Sequence, residues 1–171
     1  SMPTPTNAPT PTPEDSLRFQ FGIIDDDPVA ANCMSARLKL KYPEIAISIY
    51  SEPVVTPTLD VYFVDNNFNG QCMATKLLQE IRELNPNALV IAMSSSLNNE
   101  TLQELMNGGC NAVYDKNRPH ESKAVFDVIS NYLNVLNQVR SEAKRSPFGG
   151  AVQSLRELLK EWNARLSKAG V

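Results

Sequence analysis

The stretch RFQFGIIDDDPVA, residues 18–30, decides how the rest of the chain is read. Phe19–Asp25 is short, apolar and rich in aromatic and β-branched residues, as a buried strand should be. It ends abruptly in Asp25, Asp26 and Asp27. Pro28 suits the first turn of a helix, after which Ala30, Cys33, Met34 and Leu38 recur at helical spacing. A strand running into a helix is the unit of a parallel sheet, and functional groups in such sheets gather beyond the carboxyl ends of the strands. Three adjacent carboxylates repel one another, so this junction calls for a counter-charge.

Working outward, further strands are expected at Ile45–Tyr50, Val61–Asp65, Ala88–Met93 and Ala112–Asp115. Leu77, Leu78, Ile81 and Leu84 mark a helix that stops at Asn85-Pro86. Leu102, Leu105 and Met106 mark another, closed by Gly108-Gly109. A long helical pattern spans about Glu121 to Arg145, with an apolar stripe of Val125, Ile129, Tyr132, Leu136 and Val139. Its first half should cover the sheet and its second half project. The alternation predicts an α/β fold: a doubly wound sheet of five parallel strands covered on both faces. Between Tyr50 and Val61 the segment SEPVVTPTLD carries two prolines. It is too short and broken for a normal crossover helix, so at most a shortened helix of a turn or two is expected there, with thin cover on the sheet.

The chain has 171 residues, 42% apolar and 20% charged, an ordinary globular composition. No apolar run approaches a membrane span and no signal peptide is visible. Cys33, Cys72 and Cys110 are scattered and odd in number, which points to a reducing, cytoplasmic setting and to small core residues. A single histidine, His120, excludes a histidine-based metal site or triad and reads as a surface residue. Residues 1–139 carry net charge −7 and residues 140–171 net +4. The acidic body argues against direct nucleic-acid binding.

The strand ends bring together Asp25 and Asp26 from the first strand, Asp65 from the third, Ser94 from the fourth and Lys116 after the fifth. Clustered carboxylates without histidine or cysteine suit a hard, oxygen-seeking cation, most plausibly Mg²⁺. Such a cation relieves the repulsion and can neutralise an incoming phosphoryl group. A carboxylate beside it can act as nucleophile, a hydroxyl can bond one phosphoryl oxygen and an ammonium can pair with another. Asp27 reads as a capping residue, and Ser94 and Ser96 have a competing reading as helix caps.

The segments GIIDDDPVA, VYFVDNN, VIAMSSS and AVYDK resemble the four signatures of response-regulator receiver domains of two-component signalling, in the right order on the right strands. The spacings fit: 29 residues from Asp65 to Ser94 and 22 from Ser94 to Lys116. The resemblance spans residues 18–140 and implies the flavodoxin-like receiver fold. It implies that Asp25 and Asp26 are the acidic pair, and that Asp26, Asp65 and the Asn67 backbone carbonyl ligate Mg²⁺, with Asp25 acting largely through water. It implies that Asp65 takes a phosphoryl group from a histidine kinase or histidine phosphotransfer protein and later loses it by self-catalysed hydrolysis. Ser94 is then the switch hydroxyl and Lys116 the phosphate counter-charge. A bacterial, cytoplasmic phosphorelay protein signalling through protein–protein contacts follows from the same likeness.

Three positions depart from that pattern. Asn69 stands where proline is usual, Asn117 replaces the cis proline after the lysine, and Val113 replaces the switch aromatic, with Tyr114 beside it facing the other way. These departures motivate a degenerate receiver acting as a phosphorylation-independent scaffold. A Mg²⁺-dependent aspartyl phosphohydrolase is the other alternative, although Asn67 stands where many such enzymes place a second aspartate. Outside the receiver-like region, residues 1–16 read as a disordered Pro/Thr-rich arm, and its Ser1-Met2 start resembles an expression scar. Residues 17–145 read as the receiver with its long final helix. Residues 146–171 read as a linker and an amphipathic helix with Val152, Leu155, Leu159, Trp162 and Leu166 in heptad steps. That stripe can dock on its own domain, pair with a second copy to form a homodimer, or bind a downstream protein.

Overall fold

Strand β1 (Gln20–Ile24) is followed by α1 (Pro28–Lys41), β2 (Ala46–Tyr50) and β3 (Val61–Asp65). A two-residue pair, β4 (Asn67–Phe68) and β5 (Gln71–Cys72), precedes α2 (Ala74–Leu84). Then come β6 (Leu89–Ser94), α3 (Asn99–Asn107), β7 (Ala112–Asp115) and α4 (Lys123–Arg145). The structure, a computed structural model, describes residues 18–145, Glu157 and residues 159–161. The main sheet has the order β2-β1-β3-β6-β7 with every neighbouring pair parallel, as the strand–helix alternation predicts.

Side chains alternate across the sheet and so build two apolar layers. Phe21 and Ile23 of β1 lie with Ala31, Met34 and Leu38 of α1 and with Val125, Ile129, Tyr132 and Leu136 of α4. Ile24, Tyr62 and Val64 lie with Leu77, Leu78 and Ile81 of α2 and Leu105 of α3. β3 and β6 are buried along their whole lengths, as central parallel strands covered on both faces must be.

Chain order reverses across β1, since β2 lies on one side of it and β3 on the other. Open α/β sheets bind ligands in the crevice at such a reversal, beyond the strand ends.

Residues 51–60 contain bends and turns and no helix, so the expected shortened helix is absent. Leu59 supplies the missing cover: it is buried, and a Cβ built on Gly22 of β1 would collide with its Cδ1. Glycine at 22 is what lets this single leucine lie on the strand. The Tyr62 hydroxyl donates to the Thr56 carbonyl, and the Asn85 amide donates to the Leu59 carbonyl at 2.7 Å. Thr58 follows Pro57 with φ of 75°, a costly conformation for a β-branched residue. Cover at the edge stays thin, and Ile49 of β2 is 41% exposed.

α4 does not lift away in its second half, as far as its side chains are described. Val139 packs against the core, and the Arg140 guanidinium donates to Asp60 Oδ1 at 2.7 Å while lying over the Phe19 ring. Asp60 is half-buried, and burial raises its pKa against the opposing pull of the Gln20 N–H and Arg140. Of the C-terminal stripe, Leu159 lies within the layer formed by α1 and α4 and is 5% exposed. Val152, Leu155, Trp162 and Leu166, the linker and the arm of residues 1–16 lie outside the described residues. The expectation of core cysteines holds for Cys110 alone, whose thiol burial pushes up to about 12. Cys33 and Cys72 are exposed. His120 is exposed as expected, in a 3-10 turn at Pro119–Glu121.

Candidate functional site

The ends of β1, β3, β6 and β7 converge on one point. Lys116, the first residue after β7, puts its ammonium 2.7 Å from Asp25 Oδ2 and 3.1 Å from Asp65 Oδ1. Asp25, Asp26 and Asp65 each offer an oxygen, and these atoms lie within 4.8 Å of one another. Backbone pairing fixes this convergence. Asp25 N–H donates to the Tyr50 carbonyl, Asn66 N–H to the Met93 carbonyl and Lys116 N–H to the Ser94 carbonyl. Each strand end is thereby registered against its neighbour.

The local chemistry follows the sequence closely. Asp27 is the N-cap of α1, accepting from the Val29 and Ala30 N–H groups, and is not part of the carboxylate cluster. Asp25 Oδ1 accepts the Asp27 N–H at 2.9 Å. Ser94 is buried at the end of β6, and its Oγ accepts the Ser96 N–H at 3.1 Å. The helix cap proposed for Ser94 or Ser96 belongs to Asn98, which accepts from Thr101 N–H. Asn117 needs no cis bond, and no described peptide is cis. Its N–H donates to Asp115 Oδ1 at 2.9 Å and its amide to the Ser95 carbonyl, which ties the turn after β7 to the end of β6.

Asn69-Gly70 forms a turn that the sequence reading passed over. Both residues have positive φ, 50° and 81°, as a type I′ hairpin turn requires, and Asn-Gly is a strong short signal for one. The turn joins β4 to β5, and Gly70 N–H donates to Asn67 Oδ1 at 2.9 Å. It also directs the Asn69 N–H onto Asp26 Oδ2 at 3.0 Å. A proline at 69 could supply neither the φ nor the donor. The departure at this position is therefore tied to how Asp26 is held.

Burial and the neighbouring Asp25 charge push the Asp65 carboxyl up to about 6, against the pull of Lys116. Burial lowers the Lys116 pKa, but the carboxylates of Asp25 and Asp65 outweigh it, and the ammonium titrates above its usual range. One lysine thus faces three aspartates. Asp25 Oδ2 is buried, with the Lys116 ammonium 2.7 Å from it. Oxygen donors only and more carboxylate charge than one ammonium can balance together fit a small hard divalent cation.

Val113 and Tyr114 face opposite layers, as strand alternation requires. Val113 packs toward α2 and α3, while Tyr114 is buried in the layer of α1 and α4. Its hydroxyl accepts from Arg37 of α1 at 2.6 Å.

Strand order and crossover pattern are those of the response-regulator receiver fold. Among solved structures, the beryllofluoride-activated receiver domain of DrrB superposes with a TM-score of 0.57 at 13% identity, covering 68% of this chain and 98% of that one. A CheY-like receiver domain from Methanospirillum hungatei gives 0.57 at 16% identity, covering 68% and 94%. The receiver domain of a DNA-binding response regulator from Colwellia psychrerythraea gives 0.56 at 21% identity, covering 66% and 98%. No protein-family profile matches the chain, and no curated protein matches it. No described helix is long and apolar enough to cross a membrane.

Proposed function

We propose that this chain is a receiver that accepts a phosphoryl group on Asp65 from a histidine kinase or phosphotransfer protein and passes the signal through protein contacts. The observation that carries the reading is the Lys116 ammonium within 3.1 Å of Asp65 and 2.7 Å of Asp25, with Asp26 completing the oxygen cluster. Asp26, Asp65 and the Asn67 carbonyl would hold Mg²⁺, with Asp25 acting through water. The cation would neutralise the carboxylates and the phosphoryl oxygens that meet there.

An Asp65 oxygen attacks phosphorus as the donor's N–P bond breaks, and the imidazole departs with the electron pair. Lys116, drawn to Asp25 and Asp65 before reaction, pairs with a phosphoryl oxygen after it. The Ser94 hydroxyl, at the end of the neighbouring strand, donates to another. Water attack on the acylphosphate returns the carboxylate and inorganic phosphate. Both steps take place on the chain's own aspartate, so the chain acts as a phosphoryl acceptor rather than as a conventional enzyme.

The test is to incubate the full chain with Mg²⁺ and acetyl phosphate and analyse it by mass spectrometry. An acylphosphate mapped to Asp65, lost in Asp65→Asn and on chelation, supports the reading. Its absence, with no response to beryllofluoride, favours the phosphorylation-independent scaffold. Rapid turnover of a small phosphomonoester would favour a phosphohydrolase instead. Burial of Leu159 in the chain's own core favours intramolecular docking of the C-terminal helix over pairing with a second copy. Light scattering with and without the phosphodonor tests that choice.

A further inference from the structure

We infer that Arg37 is a positioning residue for Lys116, clamping the chain on both sides of it; the inference rests on the phosphoryl-accepting reading above. The Arg37 guanidinium donates to the Tyr114 hydroxyl at 2.6 Å, two residues before Lys116. It also donates to the Pro119 carbonyl at 3.1 Å and to Ser122 Oγ at 2.7 Å, three and six residues after it. Ser122 Oγ in turn donates to the Pro119 carbonyl at 2.7 Å. The guanidinium lies over the rings of Tyr114 and Phe126, 5.8 and 5.2 Å from their centroids.

Two features make the clamp more than packing. A cleft of about 180 Å³ opens beside Lys116, lined in part by Met34, Arg37, Met93, Tyr114 and Pro119. Core side chains leave space beside the loop at that point, so the bonds from Arg37 act there together with the ties of Lys116 N–H and Asn117 to the end of β6. Furthermore, α1 starts at Pro28, with only its N-cap Asp27 between it and the acidic pair. Arg37 therefore ties the element that follows Asp25 and Asp26 to the loop that carries their counter-ion. A planar fork suits three acceptors spread over β7 and the segment after it, whereas a lysine offers a single point of charge. Loss of a group that orients a ligand residue typically costs about 10- to 100-fold in affinity.

The experiment titrates wild type, Arg37→Ala, Arg37→Lys and Tyr114→Phe with Mg²⁺ alone, and then with beryllofluoride in saturating Mg²⁺, by calorimetry. Mg²⁺ alone reads the carboxylate cluster; beryllofluoride, a mimic of an aspartyl-bound phosphoryl group, also reads Lys116. The expected result is a loss of about tenfold in beryllofluoride affinity for Arg37→Ala. Arg37→Lys should not restore it, Tyr114→Phe should fall in the same direction, and Mg²⁺ affinity should stay within about twofold of wild type. In a Lys116→Ala background, Arg37→Ala should cost nothing further. Wild-type beryllofluoride affinity in Arg37→Ala, or a parallel loss of Mg²⁺ affinity, overturns the inference. If Arg37→Ala does not fold, Tyr114→Phe decides on the same two titrations. A wild type that binds no beryllofluoride sinks the phosphoryl-accepting reading, and this inference with it.

Discussion

Removing the charge of Asp65 should stabilise the metal-free protein near neutral pH. Its carboxyl ordinarily titrates near 3.8 and is pushed up to about 6 by burial and by Asp25. A raised acid binds its proton more tightly when folded. Its favourable contribution is complete below 3.8 and is lost as pH rises through about 6, so at neutral pH the ionised group costs stability. At about 1.4 kcal/mol per unit the shift amounts to about 3 kcal/mol. The rim of the site meets water, and screening reduces this to about 1–2 kcal/mol. Asp65→Asn should therefore raise the melting temperature by about 3–6 °C in chelator near pH 7, read by circular dichroism. Near pH 4 the gap should close, because wild-type Asp65 is then largely protonated. Added Mg²⁺ should reverse the order, since the ion stabilises the wild type by mass action and a neutral amide in place of the Asp65 carboxylate is a poorer ligand. An Asp65→Asn protein less stable than wild type in chelator near pH 7, or a gap unchanged near pH 4, refutes the claim that the cluster stores uncompensated charge.

Other outcomes are equally specific. Gly22→Ala should destabilise by about 1–3 kcal/mol through collision with Leu59, and Leu59→Ala should relieve part of that in a double-mutant cycle measured by urea denaturation. Additive costs would mean that Leu59 is not the cover on β1. Thr58→Gly should stabilise by about 1 kcal/mol by releasing a β-branched residue from φ of 75°, and a loss of stability would count against strain there. Asn69→Pro should weaken Mg²⁺ binding, since it removes the N–H held by Asp26, whereas unchanged calorimetric affinity would separate the hairpin from the site. Leu159→Ala should cost about 2 kcal/mol in the full chain, and no change in the denaturation midpoint would mean that the C-terminal helix contributes nothing to the core.

Much of this protein was already determined by its sequence, because the relevant information is local. Short runs rich in aromatic and β-branched residues placed β3 and β7 to the residue and the other main strands to within a residue at their ends. Short-range chemistry made Asp27 a cap, Pro28 a helix start and the two prolines of residues 51–60 an obstacle to a helix. Asn69-Gly70 was legible in the same way and was overlooked. Tertiary structure alone decided what depends on partners distant in the chain. Leu59 finds the bare face at Gly22 only when β1 and β3 lie side by side. Val139 and Arg140 keep α4 docked because the core and Asp60 are within reach. Asp65 acquires its raised pKa from a carboxylate forty residues away, and Arg37 reaches Tyr114 across 77 residues. A residue's neighbours along the chain dictate its backbone preference, whereas burial, charge coupling and three-acceptor hydrogen bonding exist only after the strands have been brought into register.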